Sequence, residues 1–221
     1  MSQKVKGIFF DLDGTLVDTI EILRSVYFEF LENYGLQGNE AEFQSLNGPS
    51  LLEIINYLIK KYTIKCTPKN LLKEYLNILE NRYVLKFNFS KENIICLDKI
   101  RQKGIKIYLV TSSSKSLIKP LLDIKGLTRL FDGFVFGDEV IKSKPDPEIY
   151  DKAIKKSKLK RNQIIVVEDS LNGIKSAKAA KLFVCAITSN CQPTHFDTIE
   201  TDYIINNIED VIFLIDNYGT N

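Results

Sequence analysis

Histidine, tryptophan and paired cysteines are scarce in this sequence, and their scarcity excludes several kinds of site. The 221 residues include no tryptophan, a single histidine, His195, and four cysteines without a CxxC pair. A zinc site needs several clustered nitrogen or sulfur ligands, so we expect no zinc. Disulfide scaffolds are typical of much smaller secreted domains, which favours a reducing, cytoplasmic environment. His195 lies in a late polar loop, where we expect a surface residue rather than a catalytic base.

The sequence also lacks a strong net charge and a long apolar run. Its formal net charge is +2, with 26% charged residues spread along the chain. A nucleic-acid partner would call for a basic patch, and a membrane span for about 18 consecutive apolar residues. The N-terminal residues pass directly into a strand-like run, without the pattern of a signal peptide. We therefore expect a soluble cytoplasmic protein, a monomer or weak dimer, with no nucleic-acid or membrane partner.

Short apolar runs alternate with helical patterns through most of the chain. The runs cover residues 5–10, 105–110, 134–136, 164–167, 182–187 and 203–205. Their near-continuous apolar character is typical of strands that are covered on both faces. Helical patterns cover residues 91–103, 114–125, 147–157, 172–180 and 208–217. This alternation predicts an α/β fold with a parallel sheet.

One stretch interrupts the alternation. Residues 17–89 contain only amphipathic helical patterns, with Pro49 and Pro68 near predicted helix starts. We therefore divide the chain into an α/β core, residues 1–16 and 90–221, and an inserted helical unit, residues 17–89.

Two carboxylates follow the first predicted strand, in the segment DLDGT. The carboxyl ends of parallel strands line one crevice, so Asp11 and Asp13 are expected there. A calcium loop would require a glutamate at the twelfth position from Asp11, where the chain has Ile22. Taken alone, the segment could equally form an Asx turn.

Three more polar segments follow later predicted strands. Thr111 and Ser112 could bind an anion or cap a helix, and Lys144 could offset a phosphate or lie on a solvated loop. Glu168 and Asp169 end a buried strand, where paired carboxylates favour a hard cation such as Mg²⁺, although Asp169 could also be a helix cap. The occurrence of all four segments at strand ends favours one shared site.

The ordered segments FFDLDGTLVDT, LVTSSS, KSKPDPEIY and VVEDSLNGIKSAKAA resemble the haloacid dehalogenase superfamily, over essentially the whole chain. The helical insertion is similar to the small cap of the subgroup that contains β-phosphoglucomutases and phosphoglycolate-phosphatase-like enzymes. The resemblance implies a Rossmann-like core domain with an inserted α-helical cap domain. It also implies hinges near residues 15–17 and 87–90.

The resemblance implies a Mg²⁺-dependent phosphatase. Asp11 would be the nucleophile that forms an aspartyl-phosphate, and Asp13 the general acid and base. The metal would be bound directly by the side chains of Asp11 and Asp169 and by the main-chain carbonyl of Asp13. Glu168 would support the metal indirectly, through a water molecule or through contacts with the direct ligands. Mg²⁺ and a lysine are needed because attack of a carboxylate on a phosphate dianion brings negative charges together.

The resemblance also implies the phosphate site and the kind of substrate. Thr111, Ser112 and Lys144 would bind the phosphoryl group of a small phosphorylated metabolite, such as a sugar phosphate or a phosphoglycolate-like compound. The alternative is a β-phosphoglucomutase-like phosphotransferase. A non-catalytic binding protein of the same fold is a weaker alternative, since none of the four motif residues is missing: Asp11, Asp13, Lys144 and Asp169.

Two departures from the family pattern concern the cap and the last motif. Asn47, Gly48 and Pro49 match the loop of the cap that sets substrate specificity, but no arginine follows the glycine as in typical phosphoglucomutases. Arg82 and Lys86 could supply a distal charge, although a solvent-facing position is favoured for both. The Ala-Gly that normally closes the last motif is Ala-Lys at residues 180–181, so that turn must form without glycine.

Overall fold

A computed structural model of the chain describes residues 4–46, 49–188 and 201–217. The predictions for Asn47, Gly48 and His195 therefore fall outside the described residues. Within these ranges no helix is both long and apolar enough to cross a lipid bilayer.

Six parallel strands form one sheet in the order β3-β2-β1-β4-β5-β6. The strands are β1 (Gly7–Phe10), β2 (Lys106–Val110), β3 (Gly133–Val135), β4 (Ile164–Glu168), β5 (Phe183–Ile187) and β6 (Tyr203–Ile205). Each of the six predicted runs is confirmed as a strand, with bounds that differ by no more than two residues. Because β1 lies between β2 and β4, the ends of these three strands are direct neighbours.

Nine α-helices accompany the sheet in the described part of the chain. In chain order they are α1 (Ile20–Asn33), α2 (Glu40–Ser45), α3 (Leu51–Tyr62), α4 (Pro68–Lys86), α5 (Lys91–Gln102), α6 (Lys115–Ile124), α7 (Glu148–Ser157), α8 (Leu171–Ala179) and α9 (Asp210–Asn217). All five helices predicted after residue 90 are confirmed, and between β1 and α5 the described residues form helices and no strand.

Helices cover both faces of the sheet, which explains why the strands are apolar throughout. Along β1, Ile8 and Phe10 join a cluster that includes residues of α5, α6 and α9. Phe9, between them, points to the other face and packs with residues of α7 and α8. Side chains alternate between the faces, so a strand with two covered faces needs apolar residues at every position. The α/β, Rossmann-like fold expected from the sequence is confirmed.

Local capping explains where α3 and α4 begin. The Ser50 side chain accepts a hydrogen bond from the backbone N–H of Glu53, whose carboxylate accepts one from the backbone N–H of Ser50 in return. Thr67 caps α4, and Pro68 occupies the first turn, where a missing N–H costs little. Helix α4 packs along α1, with the ring centroids of Phe30 and Tyr75 5.1 Å apart.

The turn after α8 forms without glycine, as the sequence predicts. Lys181 adopts a left-handed conformation with φ of 58°. Its N–H donates to the carbonyl of Lys178 at 2.9 Å, and the N–H of Leu182 donates to that of Ala177 at 3.1 Å. This is the Schellman pattern, in which a residue other than glycine costs about 1 kcal/mol of backbone strain.

Candidate active site

Four of the polar segments predicted from the sequence meet around one cavity. The cavity has a volume of about 490 Å³ and lies at the carboxyl ends of β1 and β2, beneath helices α1 to α4. Its lining includes six of the predicted site residues: Asp11, Asp13, Thr111, Ser112, Lys144 and Asp169. Pro49, the described member of the predicted specificity loop, lines the same cavity.

Gly14 allows the turn after β1 to approach Asp169. Its φ of +82° lies in the left-handed region, and a Cβ at this position would overlap the Asp169 carboxylate. The next residue, Thr15, donates a hydrogen bond from its hydroxyl to Asp169 Oδ1 at 3.2 Å. The DLDGT turn therefore fixes two distant acidic segments against each other.

Lys144 is the positive charge at the base of the cavity. Its side chain is 2% exposed, and its Nζ lies 2.6 Å from Asp11 Oδ1 and 2.6 Å from Glu168 Oε1. It also donates to the carbonyl of Val110 at the end of β2, at 3.3 Å. Because the ammonium is buried between two carboxylates, its pKa is raised despite burial, and it stays charged.

Glu168 is held as a fully buried carboxylate beneath the cavity. Besides Lys144, it accepts hydrogen bonds from the hydroxyl of Tyr150 at 2.7 Å and from that of Ser170 at 3.1 Å. Gly173 in α8 leaves space for it, since a Cβ there would overlap the carboxylate. These contacts stabilise an anion that burial alone would disfavour.

Three carboxylates converge in a way that fits a divalent cation. Oxygens of Asp11, Glu168 and Asp169 lie within 4.8 Å of one another, and Lys144 is the single buried cation of the described residues. Burial, together with the neighbouring carboxylates, raises the pKa of Asp11 to about 8, although Lys144 opposes the rise. Burial and the charge of Asp11 raise the pKa of Asp169 as well. A hard cation with oxygen ligands, such as Mg²⁺, would offset this excess of negative charge.

Asp13 occupies a different environment from Asp11. Its carboxylate accepts hydrogen bonds from the hydroxyls of Thr19 at 2.6 Å, Ser113 at 2.8 Å and Tyr83. Among the described residues, the side chain of Asp13 is not part of the acidic cluster, so its predicted role as a metal ligand rests on the main-chain carbonyl. Two carboxylates in one cavity, one beside a cation and one bound by hydroxyls, are suited to different chemical roles.

Two of the three predicted phosphate-binding residues, Thr111 and Ser112, lie at the end of β2. The Thr111 side chain is buried, and its Oγ1 accepts a hydrogen bond from the backbone N–H of Ser113 at 3.0 Å. Ser112 lines the cavity beside it. Arg82 and Lys86 do not line the cavity, and Arg82 pairs with Glu29 at 2.9 Å on the surface, which agrees with the favoured solvent-facing position.

Sequence reasoning missed several residues that hold the site together. Thr15 and Ser113 belong to segments already singled out, and their hydroxyls were a usable signal. Tyr150 follows the lysine loop within PDPEIY. Tyr83 had no such signal, since it lies in α4, 70 residues from the carboxylate that it binds.

Comparison with known proteins identifies the family. The family model described as haloacid dehalogenase-like hydrolase matches residues 8–187. The phosphorylated carbohydrates phosphatase of Thermotoga maritima is 30% identical over 179 residues, which cover 80% of this chain and 82% of that protein. The bifunctional riboflavin kinase/FMN phosphatase of Arabidopsis thaliana is 27% identical over 205 residues, and the match covers 92% of this chain but 54% of that longer protein.

Among solved structures, the β-phosphoglucomutase of Clostridium difficile shares the fold, with a TM-score of 0.84 at 18% identity and 98% of each chain covered. The family match extends from β1 to the end of β5 and includes every segment that lines the base of the cavity. The chain therefore belongs to the haloacid dehalogenase-like hydrolase family.

Proposed function

We propose that this protein is a Mg²⁺-dependent phosphatase that hydrolyses a small-molecule phosphomonoester through an aspartyl-phosphate intermediate. The observation that carries the proposal is the buried cluster in which Lys144 bridges Asp11 and Glu168 at 2.6 Å each, with Asp169 beside them. The phosphatase names of two relatives support the same activity.

The first half of the reaction transfers the phosphoryl group to the protein. An oxygen of Asp11 attacks phosphorus while the bond from phosphorus to the leaving-group oxygen breaks, and Asp13 gives that oxygen a proton. Lys144, Thr111 and Ser112 hold the phosphoryl oxygens. When bound, Mg²⁺ would neutralise charge on the phosphoryl group and keep Asp11 ionised.

The second half returns the protein to its starting state. Asp13, now ionised, takes a proton from water as the water oxygen attacks phosphorus, and the bond to Asp11 breaks to release inorganic phosphate. The hydroxyls of Thr19, Ser113 and Tyr83 donate hydrogen bonds to the Asp13 carboxylate and orient it for this proton transfer. The same residue thus acts first as acid and then as base.

We infer that residues 17–89 act as a cap domain over the core formed by residues 1–16 and 90–221. The cavity is lined by side chains from both parts, as a cap that closes over substrate requires. The first proposed hinge, residues 15–17, contacts the start of α5 just after the second, residues 87–90, because Asn93 Nδ2 donates to the carbonyl of Leu16 at 2.9 Å. Closure would exclude bulk water from the intermediate.

Replacing Asp11 with Asn tests the proposal. Phosphate release from a panel containing p-nitrophenyl phosphate, glucose 6-phosphate and phosphoglycolate should depend on Mg²⁺ and fall by about 10³-fold or more in the variant. Asp138→Asn is the matched control, because Asp138 lines the same cavity outside the acidic cluster. Undiminished activity in Asp11→Asn would overturn the assignment of the nucleophile, and no turnover of any ester would favour a non-catalytic protein.

A mutase is the second candidate, because the fold is shared with a β-phosphoglucomutase. In a phosphoglucomutase a sugar phosphate would take the place of water, and the described residues of helices α1 to α4 offer no basic side chain in the cavity for its own phosphate. Formation of glucose 6-phosphate from β-glucose 1-phosphate, with negligible release of phosphate, would support the mutase instead.

A further inference from the structure

The cavity has a charged base and an apolar wall. The base is the acidic cluster with Lys144. The apolar wall consists of side chains that α1 to α4 direct into the cavity, chiefly Leu23, Phe43, Ile54, Leu72, Leu76 and Leu79. The phosphoryl group must lie at the base, so the wall faces the alcohol that leaves.

The apolar wall offers no charge to a substrate. Within the described ranges, none of the lining residues contributed by α1 to α4 is acidic or basic. Arg82, the one arginine of α4, points elsewhere and pairs with Glu29. A carboxylate or a second phosphate on the leaving group would therefore be buried without a counter-charge, which is strongly unfavourable.

Most hydroxyls around the cavity already have partners within the protein. Tyr27 donates to Glu42 at 2.7 Å, Ser50 to Glu53 at 2.8 Å, and the hydroxyls of Ser114 and Ser116 lie 3.2 Å apart. A sugar presents several hydroxyls, and each one buried without a partner lowers affinity. The apolar wall formed by α1 to α4 is thus poorly suited to a polyhydroxylated leaving group.

Tyr75 is the exception among these hydroxyls. Its side chain is 4% exposed and lies on the cavity wall, and its hydroxyl makes no hydrogen bond with any described residue. Leu72, Leu76 and Leu79 surround it on α4, and burial raises the pKa of its phenol, so the hydroxyl remains protonated. It is a hydrogen-bond donor without an acceptor in an apolar surface, and a substrate atom could supply the acceptor.

We propose that the substrate is the phosphate ester of a predominantly apolar alcohol that carries a hydrogen-bond acceptor, which Tyr75 binds. The apolar wall covers the hydrocarbon part of this leaving group, and Tyr75 determines specificity within it. This proposal rests on the phosphatase function proposed above, and it differs from the sugar-phosphate and phosphoglycolate-like classes expected from the sequence, which the tests below include as competitors.

The first test measures binding without turnover. Asp11→Asn protein with Mg²⁺ is titrated calorimetrically with heptyl phosphate, glucose 6-phosphate and phosphoglycolate. Each buried methylene contributes about fourfold in affinity, so heptyl phosphate should bind at least about tenfold more tightly than either of the others. Equal or tighter binding of glucose 6-phosphate or phosphoglycolate would overturn the proposal.

The second test isolates Tyr75. The ligands are heptyl phosphates in which an ether oxygen replaces one methylene, at a successive position in each compound. Their binding affinities are measured for Asp11→Asn protein and for the same protein that also carries Tyr75→Phe. At the position that Tyr75 reaches, its removal should weaken ether binding by about tenfold relative to heptyl phosphate. Tyr34→Phe is the control, because Tyr34 also packs on Phe30 but donates to Glu74 outside the cavity. If no ether position responds to Tyr75→Phe, the assigned role of Tyr75 is wrong.

Turnover by the unmodified protein separates this proposal from the function on which it rests. Tight binding of heptyl phosphate without release of phosphate would refute the phosphatase and leave the binding preference intact. Hydrolysis with kcat/KM highest for glucose 6-phosphate would support the phosphatase and refute the apolar leaving group.

Discussion

Adding Mg²⁺ to the metal-free protein should raise its thermal stability, because three buried carboxylates cluster around the one ammonium group, that of Lys144, which is buried among the described residues. A ligand that binds only the folded state adds about 2.7 kcal/mol when its concentration is 100 times the dissociation constant. In a protein of this size, 1 kcal/mol shifts the melting temperature by about 2–4 °C. We therefore expect a rise of about 5–10 °C, a readout that does not depend on catalysis.

The assay is thermal unfolding of chelator-treated protein, followed by circular dichroism with and without millimolar Mg²⁺. Asp169→Asn should lose most of this rise in melting temperature. Without metal, the melting temperature of the variant should equal or exceed that of the unmodified protein, since the substitution removes one of three mutually repelling carboxylates. Asp138→Asn, which alters a carboxylate of the same cavity outside the cluster, should retain the full shift. An unmodified protein that melts at the same temperature with and without Mg²⁺ would refute the assignment of this cluster as a metal site.

Three further predictions follow from individual contacts. Tyr83→Phe removes one of the three hydroxyls that donate to the Asp13 carboxylate. In steady-state assays of phosphate release, kcat should fall about tenfold with little change in KM, and an unchanged kcat would contradict a role for Tyr83 in positioning Asp13. The pKa of Asp11 is raised to about 8 and that of Asp169 is raised as well, so Mg²⁺ must displace protons from both at lower pH. Its calorimetric affinity should therefore rise by about tenfold or more per pH unit below pH 8, whereas a pH-independent affinity would show that both carboxylates are already ionised. Lys181→Gly should stabilise the protein by about 1 kcal/mol in urea unfolding, and a loss of stability would show that the left-handed turn is not strained.

The strands were predictable because burial on two faces leaves a strong signal. In β1, Ile8 and Phe10 face one helix layer and Phe9 the other, so no polar residue interrupts the run. The residues at strand ends were predictable for a related reason, since a parallel sheet places the carboxyl ends of β1 and β2 at one edge. Local sequence and sheet geometry together were sufficient to place Asp11, Asp13 and Thr111 at one edge of the sheet, but not to identify the hydroxyls that bind the Asp13 carboxylate.

The residues contributed by α4 could not be predicted in this way. Leucine and tyrosine at helical spacing indicate a buried face, but the same spacing describes packing against another helix and lining a cavity. Tyr83 and Tyr75 differ in their surroundings: the Tyr83 hydroxyl donates to Asp13, whereas Tyr75 lines the cavity. That distinction depends on how α4 lies over a sheet whose strands are distant in sequence, which no local pattern contains.

The position of α4 connects recognition of the leaving group with proton transfer. Tyr75 and Tyr83 are eight residues apart on this helix, or about 12 Å along its axis, so a movement of α4 shifts both hydroxyls together. A substrate that binds Tyr75 and the apolar wall should therefore hold α4 where Tyr83 contacts Asp13. Binding energy used to position a catalytic group raises kcat, so shortening the alkyl chain should lower kcat as well as raise KM. If methyl phosphate and heptyl phosphate differ only in KM, the two ends of α4 act independently.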